Sequence, residues 1–391
     1  MSDLDATLCI ELECWESLGL KRSLRRMDQS SSSHARLDGR ELLSLGSNNY
    51  LGLADHPAVK RATVQAIERA GLGSGGSRLT TGNFPEHEAL EALLADWRGT
   101  EDAVLFDSGY AANLGILPAL AGPGDLILSD ELNHASIIDG CRLTRACVRV
   151  YPHSNMDLAR PLLSDRASFR RCILVTDGIF SMDGDTAPLQ ALGELAREHS
   201  SWLVVDDAHG TGVMGPEGSG TIQALGVQSL VDVQIGTLSK AVGAAGGFAA
   251  GTRSLCRYLR HFARSFVFST AMPPAIAAGA AQGVQLSREG EHLRRRLRLN
   301  SGSIRDLLTR HGFSVPPGEG PIIPVLVGDA NAAMSLSEDL LNQRVFVPAI
   351  RYPSVPRGSA RLRVTATAAL EPSDLEWFDQ ALAKVRRVRT R

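Results

Sequence analysis

The sequence predicts an α/β protein: a mostly parallel sheet sandwiched by helices, followed by a smaller C-terminal α+β domain. Three observations carry this expectation. Between about residue 100 and about residue 240, short continuous apolar runs alternate with amphipathic stretches, the pattern of strands covered on both faces by their crossover helices. Beyond about Pro274 a long Arg-rich helical stretch gives way to strands and helices mixed at short spacing. The 391 residues, 43% of them hydrophobic, are ample for a large core and too many for one minimal domain. The expected division is an N-terminal arm over 1–50, a large α/β domain over 51–280 and a small α+β domain over 281–391.

Element by element, the first 40 residues read as irregular: a short polar helix candidate, the basic patch Lys21 to Arg26, then the run Ser30 to Ser33. PAVKRATVQAIERAG is a helix opened by Pro57 at its first position and closed by Gly71. PEHEALEALLADWRG repeats the pattern, with Leu90, Leu93, Leu94 and Trp97 at helical spacing and Gly99 as the stop. AVLF (103–106), DLILS (125–129), CILVT (172–176), WLVVDD (202–207) and VDVQIGT (231–237) are the apolar runs expected as buried strands. LQALGELAREH between two of them is amphipathic. IIPVLVG, a helix, VFVPAI and RLRVTATA complete the small domain, and no internal repeat is evident.

Several function classes are disfavoured at once. Lysine and arginine total 41 against 43 acids, a formal charge of −2, so nothing steers the whole molecule toward nucleic acid or an anionic membrane. The run HLRRRLRLN (292–300) lacks interleaved aromatics and reads as a solvated helix face. MSDLDATLCIELECWESLGL has no basic-then-apolar signal pattern, and no apolar run approaches the ~20 residues of a membrane span. The expectation is a soluble cytoplasmic protein. Six cysteines form no CxxC pair, and there is neither an H-E-x-x-H nor a His/Cys cluster at zinc spacing, so no metal is expected. Gly71-Leu-Gly-Ser-Gly-Gly76 satisfies G-x-G-x-x-G, but a helix precedes it where a dinucleotide site needs a strand. A tight loop approaching a ligand fits better.

Three segments gain meaning together. Asp206 and Asp207 end a buried strand, at the edge where open α/β sheets bind ligands, and buried acids are costly unless something cationic meets them. Lys240 follows the strand VDVQIGT inside a small-residue loop, where partial desolvation favours the neutral, nucleophilic amine. Ser108-Gly109-Tyr110 opens a helix after the strand AVLF, and backbone N–H groups at a helix start bind phosphate. A lysine amine, a strand-end aspartate and an anion-binding helix start are what pyridoxal 5′-phosphate (PLP) requires: the lysine carries it, the aspartate keeps the pyridine nitrogen protonated, and the helix start takes the phosphate.

From about Leu45 to Ala369 the segments SNNYLGLA, GSGGSRLTTGN, HEALEALLA, SGYAAN, NHAS, FSMDGDTAPL, VDDAHGTGVMG, TLSK, FSTAMPP and ARLRVTATA resemble the α-oxoamine synthase family of fold-type I PLP-dependent transferases. FSMDGD followed by APL, AHGTG, and FSTAMPP resemble the member of biotin biosynthesis that condenses L-alanine with a pimeloyl thioester and releases CO2 and the thiol. The resemblance leaves coenzyme A or acyl carrier protein open as the carrier. Another member, using glycine or serine with a different thioester, is the alternative; a transaminase is disfavoured by the AHGTG and RLRVT contexts, and a non-catalytic scaffold by the presence of Lys240 and Asp206.

The resemblance also implies roles. Lys240 would carry PLP and Asp206 would pair with its ring nitrogen; His134 would stack on the ring, with His209 and Ser181 near the phenolic oxygen. Gly109, Tyr110 and Thr237 would meet the phosphate, and Ser269 and Thr270 would reach it from the partner subunit of a homodimer with composite sites. Asn48 and Arg363 would hold the substrate carboxylate, and Arg25 and Ser354 would line the acyl path. His134 would also serve the substrate as an oxyanion donor. On a strand, Arg361 and Arg363 share one face, so only the resemblance selects the second. Tyr110 stands where the family often has Phe, a mild departure.

Overall fold

The structure, a computed structural model, describes residues 2–30 and 33–389; Ser31 and Ser32 of the serine run lie outside the described residues. The chain folds as two compact units, one of residues 1–47, 300–366 and 370–391, the other of 48–299 and 367–369. Most of the expected N-terminal arm over 1–50, residues 1–47, thus shares a unit with the C-terminal part. The large unit also extends past residue 280, because the helix Pro274–Glu289 packs on the helices Pro57–Ala70 and Pro85–Arg98.

The first unit opens with the helix Asp3–Ser17, capped by Ser2, and the strands β1 (Met27–Ser30), β2 (His34–Leu37) and β3 (Arg40–Ser44). The second unit carries β4 (Asp102–Phe106), β5 (Leu126–Asp130), β6 (Cys147–Tyr151), β7 (Cys172–Asp177), β8 (Trp202–Asp206), β9 (Val233–Thr237) and β10 (Gly247–Gly251). They form one sheet in the order β4-β10-β9-β8-β7-β5-β6. The run β9-β8-β7-β5-β6 is parallel, and β10 is antiparallel to both of its neighbours.

All five apolar runs of this region are strands, and two further strands join them for different reasons. β6 (CVRVY) is an edge strand with several exposed side chains, so it shows no continuous apolar run. β10 (GFAAG) has Gly or Ala at four of its five positions, residues with weak strand preference, around the buried Phe248. It is a strand because the sheet leaves a slot there: a Cβ on Gly247 would stand 2.5 Å from the Ser108 carbonyl oxygen. Helices cover both faces of the sheet. Leu189, Leu192, Leu195 and Ala196 of the helix Leu189–Glu198 are buried in a cluster with Leu174, Leu203 and Val205. On the other face, Ile116 and Leu117 of the helix Gly109–Leu120 pack with Ile173, Val204 and Ile235. Each such buried Leu, Ile or Val side chain contributes about 1.5–3 kcal/mol.

Back in the first unit, β11 (Ile322–Gly328), β12 (Val345–Phe346), β13 (Ala349–Ile350) and β14 (Ala360–Thr365) complete two small sheets, β1-β2-β3-β12 and β11-β14-β13. The segment read as one strand, VFVPAI, divides at Val347 and Pro348, and its halves join different sheets. No helix among the described residues is long and apolar enough to cross a membrane.

Candidate functional site

The carboxyl ends of β7, β8 and β9, with the start of the helix Gly109–Leu120, gather the chemistry-bearing side chains of the second unit. β9 ends at Thr237 and β10 begins opposite it at Gly247. The intervening loop is closed at its base by Leu238 N–H donating to Gly246 O (2.9 Å) and Ala244 N–H donating to Leu238 O (2.9 Å). Lys240 sits half-buried on this loop, its Nζ 3.1 Å from His209 Nε2. His209 Nδ1 lies 2.6 Å from the Tyr50 hydroxyl, which itself donates to Asn48 Oδ1 at 3.2 Å.

The two acids at the end of β8 part company. Asp207 is fully buried and paired with Arg98, whose Nη2 is 3.1 Å from Oδ2, and it also accepts the Thr221 backbone N–H at 3.0 Å. Burial alone pushes the Asp207 carboxyl up and the Arg98 guanidinium down, and their attraction opposes both shifts. Asp206 accepts Asn113 Nδ2 at 2.6 Å and the Ala208 backbone N–H at 3.1 Å, and has no ion-pair partner among the described residues. The requirement for a cation beside buried strand-end acids is therefore met by the protein at Asp207 and left to a guest at Asp206.

Next to Asp206, in register on β7, stands Asp177, buried and accepting the His134 backbone N–H at 2.6 Å. Burial, and then the neighbouring Asp206 charge, push the Asp177 carboxyl well above its usual range. His134 caps the helix Ala135–Thr144, its Nδ1 accepting the Ser136 backbone N–H at 3.2 Å. Burial holds this imidazole below its ordinary pKa, outweighing the pull of Asp206. The ring is neutral near pH 7, and its proton sits on Nε2 because Nδ1 is an acceptor.

At the helix start, Ser108 caps through Ala111 N–H (3.0 Å), and a Cβ added to Gly109 would lie 3.5 Å from Thr237 Cβ, so these two phosphate candidates adjoin. Tyr110 is exposed, and its hydroxyl donates to Asp139 at 2.5 Å. Ser269 donates to Asp107 at 2.5 Å within its own chain, and Thr270 beside it is exposed. Ser181 is half-buried in the turn after β7, which an Ile179–Thr186 bridge closes and Asp185 anchors to His153 (2.8 Å).

Arg25, Ser354, Arg361 and Arg363 belong to the first unit. Arg363 is buried on β14 with Nη1 donating to Thr365 Oγ1 at 3.1 Å, while Arg361 donates from Nε to the Ser359 carbonyl at 3.1 Å. Ser354 is exposed after the cis Tyr352–Pro353 bond, and Arg25 is ion-paired with Glu338.

Four residues of this arrangement escaped the sequence reading: Tyr50, Asn113, Ser136 and Asp177. The rule that singled out Asp206 applied equally to Asp177, but the apolar run CILVT was read only to Thr176 and the acid that ends β7 was left off. Asn113, Ser136 and Tyr50 are ordinary polar residues whose importance lies in contacts across 23 to 159 positions of sequence. The glycine-rich segment 71–83 is tied to its surroundings at several points. Arg78 clasps Glu91 with two 3.0 Å bonds, Ala271 N–H donates to Gly76 O at 2.9 Å, and a Cβ on Gly82 would meet Gly76 O at 2.1 Å. Gly76 and Gly82 serve close packing, whereas a Cβ on Gly71, Gly73 or Gly75 would meet nothing within 4 Å.

The sequence pattern described as aminotransferase class I and II matches residues 40–382. The chain is 48% identical over 377 residues to an 8-amino-7-oxononanoate synthase of Geobacter sulfurreducens, covering 96% of each chain. A serine palmitoyltransferase of S. paucimobilis solved with a bound PLP–myriocin adduct superposes with TM-score 0.91 at 30% identity, over 98% of this chain and 97% of that one. A crystal structure of 8-amino-7-oxononanoate synthase from Francisella tularensis gives TM-score 0.77 at 27% identity, over 89% and 98%. The chain belongs to the aminotransferase class I and II family and, within its fold-type I architecture, to the α-oxoamine synthases.

Proposed function

We propose that this chain is an 8-amino-7-oxononanoate synthase, which uses PLP carried on Lys240 to condense L-alanine with a pimeloyl thioester in biotin biosynthesis. The observation that carries the reading is the division of labour at the end of β8: Asp207 is satisfied by Arg98, while Asp206 presents a buried carboxylate with no ion-pair partner among the described residues. A protonated pyridine nitrogen suits that position. The remaining donor set fits the same guest: a lysine amine on the next strand's loop, and helix-start N–H groups adjoining Thr237 for the phosphate.

PLP, when bound, supplies an electron sink for the carbanion formed at the amino-acid α-carbon and again when CO2 departs. The chain's own groups do the rest. Lys240 Nζ, once the substrate amine has replaced it, is the base for the α-proton, and His209 Nε2 at 3.1 Å orients it. His134, held neutral with Nε2–H, donates to the oxyanion that develops at the thioester carbonyl. Gly109, Tyr110 and Thr237 hold the phosphate from within the chain; Ser269 and Thr270 hold it across a homodimer. Ser181 and His209 bond to the ring's phenolic oxygen. Asn48 and Arg363 take the substrate carboxylate, for which a planar guanidinium is suited, and Arg25 and Ser354 line the acyl path. A cytoplasmic setting agrees with six free thiols, three of them exposed.

The test is made on the purified holoenzyme. It should be yellow, and Lys240→Ala should abolish the colour of the lysine-bound cofactor. L-Alanine, glycine and L-serine are then each offered with pimeloyl thioester, and CO2 and free thiol are measured. Only alanine should support turnover. A preference for serine would transfer the reading to the palmitoyltransferase-like branch, and colour that survives borohydride mapping to another lysine would overturn the site.

A further inference from the structure

Asn113 lies just over one turn into the helix Gly109–Leu120, fully buried at 0% exposure. Its Nδ2 donates twice, to Asp206 Oδ2 at 2.6 Å and to Ser136 Oγ at 2.9 Å. Ser136 Oγ is in turn 2.7 Å from His134 Nδ1. The hydroxyl already accepts from Asn113, and Nδ1 already accepts the Ser136 backbone N–H, so the Ser136 proton has one productive direction, toward Nδ1. The amide itself has one orientation. Flipped, its oxygen would face the Asp206 carboxylate, an acceptor against an acceptor, and the bond to Asp206 would be lost.

Stability does not explain this residue. Asn113 Oδ1 is buried and meets no donor among the described residues. An unpaired buried carbonyl carries the full cost of desolvation, and an aliphatic side chain of the same size would avoid it. What asparagine does, and leucine could not, is donate in two directions at once to the residues that flank the proposed cofactor site.

We propose that Asn113 is a positioning residue: one amide group fixes the Asp206 carboxylate and, through Ser136, holds His134 as the Nε2–H tautomer. The proposal rests on the PLP reading above for its purpose, and on the hydrogen-bond geometry alone for the coupling. It makes the acid that meets the cofactor and the imidazole that serves the acyl oxyanion parts of one chain of bonds, His134–Ser136–Asn113–Asp206. His134 is then a donor toward substrate by construction, with its acceptor nitrogen turned away into the protein.

The test compares full-length wild type, Asn113→Leu and Ser136→Ala. The imidazole nitrogens of His134 are followed in 15N-labelled protein, and the PLP dissociation constant is measured separately. In wild type Nδ1 should resonate as a hydrogen-bonded acceptor and Nε2 as N–H. Both variants should shift the Nδ1 signal. Asn113→Leu should also weaken PLP binding by about 10- to 100-fold, the effect of losing a hydrogen bond to a charged group, whereas Ser136→Ala should change it less than about threefold. A His134 signal unmoved in Ser136→Ala overturns the coupling, even if the leucine variant fails to fold. PLP affinity within about twofold of wild type in a folded Asn113→Leu overturns the role at Asp206. Wild type that takes up no PLP would sink the proposed function instead, while the nitrogen spectrum, which needs no cofactor, would still decide the coupling.

Discussion

Adjacent aspartates that look interchangeable in the sequence have opposite duties here. Asp207 and Arg98 form a buried pair in which neither partner touches water. Removing one partner of such a pair leaves an uncompensated charge, at a cost of about 3–5 kcal/mol. Asp207→Ala should therefore lower unfolding stability by that amount in urea titrations. Asp206→Asn keeps the size but offers one acceptor oxygen to two donors, so it should cost about one hydrogen bond of stability, less than Asp207→Ala, yet lose turnover by about 100-fold or more, the effect of several kcal/mol at a charge pair in a poorly solvated site. Equal stability losses in the two variants, or a two- to threefold effect of Asp206→Asn on turnover, would erase the distinction. Sequence reasoning recognised that strand-end acids need a cation. It could not say which acid finds one inside the protein, because Arg98 is 109 positions away from Asp207 and nothing local marks the pairing.

The turn after β7 shows how an element is held ready. His153 bridges Asp130, at the end of β5, and Asp185, in the FSMDGD segment, at 3.0 and 2.8 Å. Burial alone would depress the imidazole, but the two carboxylate hydrogen bonds outweigh it and lift its pKa to about 10 from an ordinary 6.5. A group raised on folding stabilises fully below its unfolded pKa and loses that contribution as pH rises through its folded one. The stability difference between wild type and His153→Gln should thus be largest below pH 6.5 and shrink toward pH 10. Paired melting curves across that range check it, and a difference that grows with pH would reverse the assignment. The helices were legible at this scale because proline, glycine and apolar spacing mark them directly. β10 was not, because four of its five residues are Gly or Ala, which carry little strand signal, and close backbone packing around Gly247 sets the conformation there.

At the scale of the whole molecule, the resemblance implies that Ser269 and Thr270 would reach a neighbour's phosphate, and on that proposal the smallest complete catalyst is a homodimer. Obligate interfaces of this kind bury upward of about 2,000 Å² and leave the monomer unstable. Lys240→Ala and Thr270→Val proteins, each inactive, should regain activity when refolded together. Random mixing makes half the dimers hybrid, each with one intact site of two, so about a quarter of wild-type activity should return. No recovery despite proven hybrids would mean that each chain builds its own site. The mostly parallel sheet was readable from alternating runs, whereas the sharing of residues 1–47 and 300–366 in one unit was not. That union is built from β12 pairing with β3, a ladder of two residue pairs, and from scattered contacts such as Arg25–Glu338 and His34–Asp374, none of which announces itself locally.

The loop that carries Lys240 is sealed at its base by the Leu238–Gly246 and Ala244–Leu238 bonds and continues into paired strands on both sides. The lysine backbone is thereby a fixed pivot. Whatever distance the amine travels between holding its cofactor and receiving a proton is swept by side-chain torsions, on the picosecond-to-nanosecond scale, and not by a loop that opens over microseconds to milliseconds. The proton-transfer step should accordingly be indifferent to solvent viscosity, leaving any viscosity dependence of turnover to the entry of the acyl chain or the departure of product.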